Sequence, residues 1–181
     1  SSSIYTEAQR LINLVADIIK ISEFDETSEH LNDESIDIFE LSKEIINRLK
    51  PSADKKNITF DITGKNTRIT GDRHIIDEMI YNLCDNAIKY NKVGGRVDLK
   101  ISDDGEKINL SISDTGIGIP PQSQDRVFER FYRVDKSRSK AEGGTGLGLS
   151  IVKHAAMYHN AAVSLQSEVD KGTTVTVSFK K

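Results

Sequence analysis

Gly143-Gly144-Thr145-Gly146-Leu147-Gly148-Leu149-Ser150 places four glycines in six positions directly ahead of an apolar, helix-forming segment. Glycines lacking Cβ let a backbone take positive φ and approach a ligand closely. A helix that starts at the end of such a run aims its free N–H groups and dipole at whatever lies there, and an anion fits that environment. Taken alone, the run fits a phosphate cradle or a plain flexible loop. The segments around it decide between them.

Leu147–His159 reads as the helix that the run opens, and Asn160 suits a left-handed C-terminal position. Val163–Gln166 and Thr173–Phe179 alternate as a strand pair turning at Asp170-Lys171-Gly172. Upstream, residues 115–146 carry little periodicity, a length that inside a compact domain points to a functional lid. Before the lid, Arg96–Ser102 and Lys107–Ser113 form a hairpin across Asp103-Asp104-Gly105-Glu106. Asp72–Tyr90 is a long helix capped by Asp72, with Ile75, Ile76, Met79, Ile80, Leu83, Ala87 and Ile88 on its buried face. Ser35–Phe39, Ile58–Ile62 and Arg68–Thr70 read as short strands. Glu40–Lys50 reads as an amphipathic helix that Pro51 kinks or ends. The order β-α-β-α-β-β-α-β-β predicts an α/β (α+β) two-layer sandwich: a mixed sheet of about five strands with three helices on one face.

Residues 4–22 read as a further helix, with Ile4, Ala8, Leu11, Val15, Ile18 and Ile19 in a stripe widened by Leu14 and Ile21. A polar linker, residues 23–34, separates it from the domain at 35–181. That separation suggests half of a helical bundle whose other helices lie elsewhere. The Ser1-Ser2-Ser3 start without Met suggests a piece of a larger protein. Net charge −3 argues against a nucleic-acid binder working through a basic field. A single cysteine, Cys84, excludes a disulfide framework and a multi-cysteine metal site, and suits a packing role. No apolar run approaches a membrane span.

Three clusters flank the lid. In the first, Asn82 and Asn86 stand four apart on one helix face with Lys89 three further on. Amide oxygens are hard neutral ligands suited to magnesium that is held mostly by phosphate and water, and the lysine adds positive charge. The second, Ser113-Asp114-Thr115-Gly116-Ile117-Gly118-Ile119-Pro120, follows a strand directly. An aspartate there can accept from a base amine, and the glycines let backbone pass a flat ring. The third is the glycine run. Within the lid, Phe128 and Phe131 look like anchors, and Arg130, Arg133, Lys136 and Arg138 are candidate phosphate contacts.

These clusters, with Val127-Phe-Glu-Arg-Phe-Tyr-Arg-Val-Asp135 between them, resemble in order and separation the N, G1, F and G2 boxes of bacterial sensor histidine kinases. Their catalytic ATP-binding domain belongs to the GHKL superfamily of gyrase, chaperone, histidine kinase and mismatch-repair proteins. The resemblance covers about residues 35–181, and the N-terminal helix is similar to the second helix of the dimerisation and phosphotransfer hairpin. It implies ATP and Mg2+ as cofactors, with Asn86 the principal magnesium ligand and Asn82 assisting. It implies that Lys89 contacts phosphate, Tyr90 lies beside the nucleotide, and Asp114 reads the adenine amine with Gly116, Gly118 and Ile119 around the base. Arg133 would reach the γ-phosphate. Gly144, Thr145, Gly146, Leu147 and Gly148 would cradle the triphosphate, and Thr174 would support the base through water. Asn82, Lys89 and Arg133 are the implied catalytic set.

ATP-hydrolysing relatives carry a glutamate base one turn before the magnesium asparagine; here that position is Asn82, which cannot take a proton. The expectation is therefore transfer to a histidine rather than hydrolysis, by positioning and charge neutralisation. None of His30, His74, His154 or His159 sits in the family's acceptor setting, so the acceptor is expected outside the chain. The implied partners are the dimerisation domain of the same homodimeric kinase and a response regulator. The implied parent is a membrane-anchored sensor with this domain in the cytoplasm. A non-catalytic nucleotide sensor and a GHKL-type ATPase are the alternatives.

Overall fold

The computed structural model describes residues 2–26, 32–135 and 146–181. In chain order the elements are α1 (Ser2–Glu26), β1 (Asp33–Asp37), α2 (Ile38–Lys55), β2 (Thr59–Thr63), β3 (Arg68–Asp72), α3 (Arg73–Lys89), β4 (Arg96–Asp103) and β5 (Lys107–Asp114). A 3₁₀ turn at Pro121–Ser123, α4 (Gly148–Tyr158), β6 (Ala162–Glu168) and β7 (Gly172–Lys180) complete the described residues.

β2-β4-β5-β7-β6 is the order of the five-stranded sheet, mixed because β2 and β4 run parallel while the other neighbours are antiparallel. Each strand alternates. Ile108, Leu110 and Ile112 of β5 and Val175, Val177 and Phe179 of β7 are buried, under helices α2, α3 and α4. The intervening residues form the other face, where Ser111 bonds Thr176 (2.9 Å) and Ser113 bonds Thr174 (2.7 Å). This is the expected two-layer sandwich. β1 and β3 do not join the main sheet and pair with each other instead.

Local chemistry explains most boundaries. Asp72 caps α3 by accepting from the Ile75 N–H at 3.1 Å, as its sequence position predicts. All seven residues assigned to the buried face of α3 are buried, together with Cys84. Asn160 takes φ 51° after α4, and Asp170 and Gly172 take φ 64° and 128° in the last turn. Two boundaries differ from expectation. Asp37 accepts from the N–H groups of Phe39 and Glu40, so α2 begins inside the segment read as strand. The helix then continues through Pro51, because Leu49 and Ala53 on either side are both buried in the core. Packing there outweighs a proline penalty of roughly 3 kcal/mol.

α1 runs from Ser2 to Glu26, longer than the predicted 4–22. It lies on the domain and does not stand clear of it. Ile21 is buried, Leu14 packs on the core, and Lys20 Nζ meets Glu78 Oε2 of α3 at 2.8 Å. Its outer stripe, including Ile4, Leu11, Val15 and Ile19, is exposed, as expected of a helix whose apolar partner lies elsewhere.

A nucleotide-shaped pair of cavities

The end of β5, the C-terminal half of α3, the lid and the start of α4 enclose two joined cavities. The first, about 150 Å³, is lined chiefly by Leu83, Ala87, Ile112, Leu149 and Val175, with Asp114 as its buried acid. The second, about 280 Å³, is bounded by Asn82, Asp85, Asn86 and Lys89 of α3 and by Gly146 and Gly148. Asn86, Tyr90 and Gly146 line both, so one long ligand could thread from an apolar slot into a polar one.

Asp114 is held at the strand end by two donors on Oδ1, the N–H of Gly116 (2.8 Å) and the N–H of Thr173 (3.3 Å). Burial pushes its carboxyl up to about 6, against these two bonds, which favour the anion. Gly116 is required here, because a Cβ on it would strike the Tyr90 carbonyl and the Asp114 carboxylate. Gly118, at φ 68°, passes so close to the Glu168 carbonyl that no side chain fits. Ile119 lines the slot and donates its N–H to Ser167 Oγ at 2.8 Å.

In the polar cavity, the Asn82 Nδ2 donates back to the Glu78 carbonyl at 2.7 Å, which leaves Oδ1 facing inward. A Cβ built on Gly148 would lie 3.5 Å from that oxygen and 3.3 Å from the Asn86 amide. Both amides therefore face the first residue of α4, as their i, i+4 spacing predicts. Hard carbonyl oxygens beside a helix start fit a magnesium ion that takes its other ligands from phosphate and water. Lys89 lines the cavity with its ammonium on Asp85 at 2.8 Å. Burial opposes that charge, Asp85 outweighs it, and the pKa is raised.

Arg133 lines the first cavity beside Asn86, Tyr90 and Gly146. Leu147 is buried ahead of α4 and lines neither cavity. Gly144 and Thr145, with Gly143, Lys136 and Arg138, lie outside the described residues. His159 is structural: its Nε2 accepts from the Asp72 N–H at 3.0 Å.

Two expectations are corrected. Thr174 does not line the cavity; it points to the opposite sheet face and bonds Ser113. Thr173 lines the slot instead, because neighbouring strand residues face opposite ways. Phe131 is not an anchor: its side chain is exposed. Its backbone does the holding, with φ 64° and its N–H donated to the Gly146 carbonyl at 2.9 Å. Among the described residues of this segment, Val127 is buried and the Tyr132 hydroxyl donates to Ser123 Oγ at 2.9 Å. Sequence reasoning also missed Asn91, which is buried and ties α3 to β4 through the Arg96 carbonyl (3.1 Å). The polar face of α1 was missed as well: Asn13, Asp17 and Lys20, spaced by four and three, line the second cavity.

A slot with a buried carboxylate, joined at a helix start to an amide-lined cavity, defines a nucleotide-binding protein of the GHKL type. The chain belongs to the family described as Histidine kinase-, DNA gyrase B-, and HSP90-like ATPase, whose model matches residues 71–181. It is 39% identical to the sensor-like histidine kinase SenX3 of Mycolicibacterium smegmatis over 96% of its own length and 45% of that protein's. It is 35% identical to the sensor histidine kinase WalK of Bacillus subtilis over 96% of this chain and 29% of that one. Among solved structures it matches the mycobacterial sensor histidine kinase MprB with a TM-score of 0.71 at 30% identity, over 81% of this chain and 96% of that one. It matches full-length ShkA with a TM-score of 0.80 at 25% identity, over 98% of this chain and 37% of that one. The chain thus spans less than half the length of the curated relatives it matches. No helix among the described residues is long and apolar enough to cross a membrane.

Proposed function

We propose that the chain is the ATP-binding, phosphoryl-donating part of a sensor histidine kinase, with its acceptor histidine outside residues 1–181. The observation that carries this is the joined pair of cavities: one end offers a carboxylate for a base amine, the other offers amide oxygens beside a helix start. The ShkA structure, a complex with AMPPNP, supports an adenine nucleotide.

In this reading Asp114 accepts from the adenine amine, Thr173 and Ile119 flank the ring, and Tyr90 marks the passage to the phosphates. Asn86, assisted by Asn82, would hold a magnesium ion, which would supply neutralisation of phosphate charge. Lys89 and Arg133 draw off the negative charge of the terminal phosphates, and backbone N–H groups around Gly144, Thr145, Gly146 and Gly148 hold the chain. The neutral imidazole nitrogen of the incoming histidine attacks the γ-phosphorus. The bond to the β,γ-bridging oxygen breaks, ADP leaves with that electron pair, and the imidazole loses its N–H proton to solvent. Asn82, standing where hydrolysing relatives carry a glutamate, offers no base to a water molecule.

Residues 1–22, with α1 running on to Glu26, act as one helix of the dimerisation hairpin, and 35–181, entered by β1 from Asp33, act as the catalytic unit with a lid at 115–146. The parent is a homodimeric, membrane-anchored sensor that passes phosphate to a response regulator. The test mixes this chain, γ-labelled ATP and a separately made dimerisation domain carrying its acceptor histidine. Acid-labile label on that domain and none on this chain is the expected outcome. Steady release of inorganic phosphate without labelled protein would instead mark an ATPase.

A further inference from the structure

Four polar residues of α1, Arg10, Asn13, Asp17 and Lys20, are spaced three, four and three apart and therefore share a face. The last three wall the polar cavity opposite Asn82, Asn86 and Lys89. Lys20 is fixed by Glu78 and Lys89 by Asp85, so the cations at that end have carboxylate partners.

At the Arg10 end the charges do not match. Arg10 Nη1 donates to Glu7 Oε1 at 2.6 Å, which engages one edge of its guanidinium. Its Nε is buried with no hydrogen-bond partner, and so are Nε and Nη2 of Arg133. Arg10 lines neither cavity itself, but its charge is felt at Arg133. Burial, and after it the charge of Arg10, lower the basicity of Arg133, while Tyr90 and Glu7 oppose this. Among the described residues, Glu7 is the carboxylate that bonds Arg10 and also acts on Arg133. Buried N–H groups without acceptors are unfavourable, and like charges at close range add to that. A structural arginine is normally matched to a carboxylate rather than to a second arginine. An anion with several oxygens would satisfy all three buried N–H groups at once. Arg133 lines the base cavity beside Asn86, Tyr90 and Gly146, the residues shared with the polar cavity, so the anion in reach is the far end of the nucleotide.

We infer that Arg10 is a second guanidinium for the terminal phosphates, acting opposite Arg133, so that a bound triphosphate ties α1 to the lid. This rests on the nucleotide reading of the cavities. It assigns to α1 a direct share of the ligand.

The experiment is calorimetric titration of the whole 181-residue chain with magnesium and ATP, ADP or AMP, for the wild type, Arg10→Ala, Arg10→Gln and Arg133→Ala. Losing a charged hydrogen-bond donor should weaken ATP binding about 10- to 100-fold in Arg10→Ala. AMP binding should change less than about threefold. Without nucleotide, Arg10→Ala should melt no lower than wild type, since it relieves the like charge at Arg133. Arg10→Gln keeps most of the apolar stem and should show the same preference for ATP loss if Ala loosens α1. Equal weakening of ATP and AMP, or unchanged ATP affinity, would overturn the role of Arg10 while leaving the nucleotide site standing. Wild-type chain that binds none of the three would overturn both.

Discussion

Asp114 carries two opposed effects in one carboxyl. Its folded pKa is raised to about 6, above the ordinary aspartate value, so the native state binds a proton more tightly than the unfolded chain. The burial penalty is therefore present above pH 6 and is relieved as pH falls from about 6 towards 4. Protonation also removes the best acceptor for a base amine. Between pH 7.5 and 5 the nucleotide-free protein should gain stability from this group while ATP affinity drops several-fold; calorimetry against pH checks both. Asp114→Asn should flatten that pH profile and weaken ATP about tenfold or more at pH 7.5, with no loss of thermal midpoint. A second pair of variants tests the strand register. Thr173→Val should lower nucleotide affinity, because Thr173 lines the slot and its hydroxyl bonds Ser167 at 2.8 Å. Thr174→Val should leave affinity unchanged and cost about 1 kcal/mol of stability through the lost Ser113 bond. Asp114, Asn82 and Asn86 were legible in the sequence because a strand end and an i, i+4 spacing fix where those side chains go. The choice between Thr173 and Thr174 was not, since it turns on a strand phase that only β5 and β7 pairing sets.

At the scale of elements, Gly118 and Gly172 are the joints between the lid entrance and the β6–β7 hairpin. Both hold positive φ, and a Cβ on either would enter backbone, at Glu168 and Asp114 respectively. Gly118→Ala should destabilise by roughly 1–3 kcal/mol from steric and φ strain, read as a lowered denaturant midpoint with unchanged slope. Lys20 and Glu78 hold α1 across the polar cavity. Because Glu78 Oε2 is buried, Lys20→Met would leave it unpaired and should loosen α1 by about 1–3 kcal/mol, and faster amide exchange along residues 5–20 would report it. Existence and order of the elements followed from periodicity and caps such as Asp72. The continuation of α2 through Pro51 did not, because it depends on burial of Leu49 and Ala53 against residues far away in sequence. The docking of α1 was equally hidden, since its polar stripe reads as an ordinary solvated face until α3 is set against it.

Considered whole, the molecule has one satisfied side and one unsatisfied side. The core beneath the sheet is closed, whereas Ile4, Leu11, Ile12, Val15 and Ile19 of α1 are more than half exposed. Such a continuous apolar stripe favours self-association. Sedimentation should show a monomer that dimerises with rising concentration, and Ile12→Glu with Val15→Glu should abolish the dimer without altering ATP affinity. Closure of the base slot also has an order in time. Its floor is laid by residues 112–119, but what clamps it comes from residues 167–173, some fifty positions later. Thr173 donates to Asp114, the Asp170 N–H to the Ile117 carbonyl, and Ser167 receives the Ile119 N–H. A nascent chain leaving the ribosome would hold the amide pair of α3 long before it held a complete base slot. Competence for nucleotide is then acquired only once residues 167–173 have been made, well after the amide pair of α3.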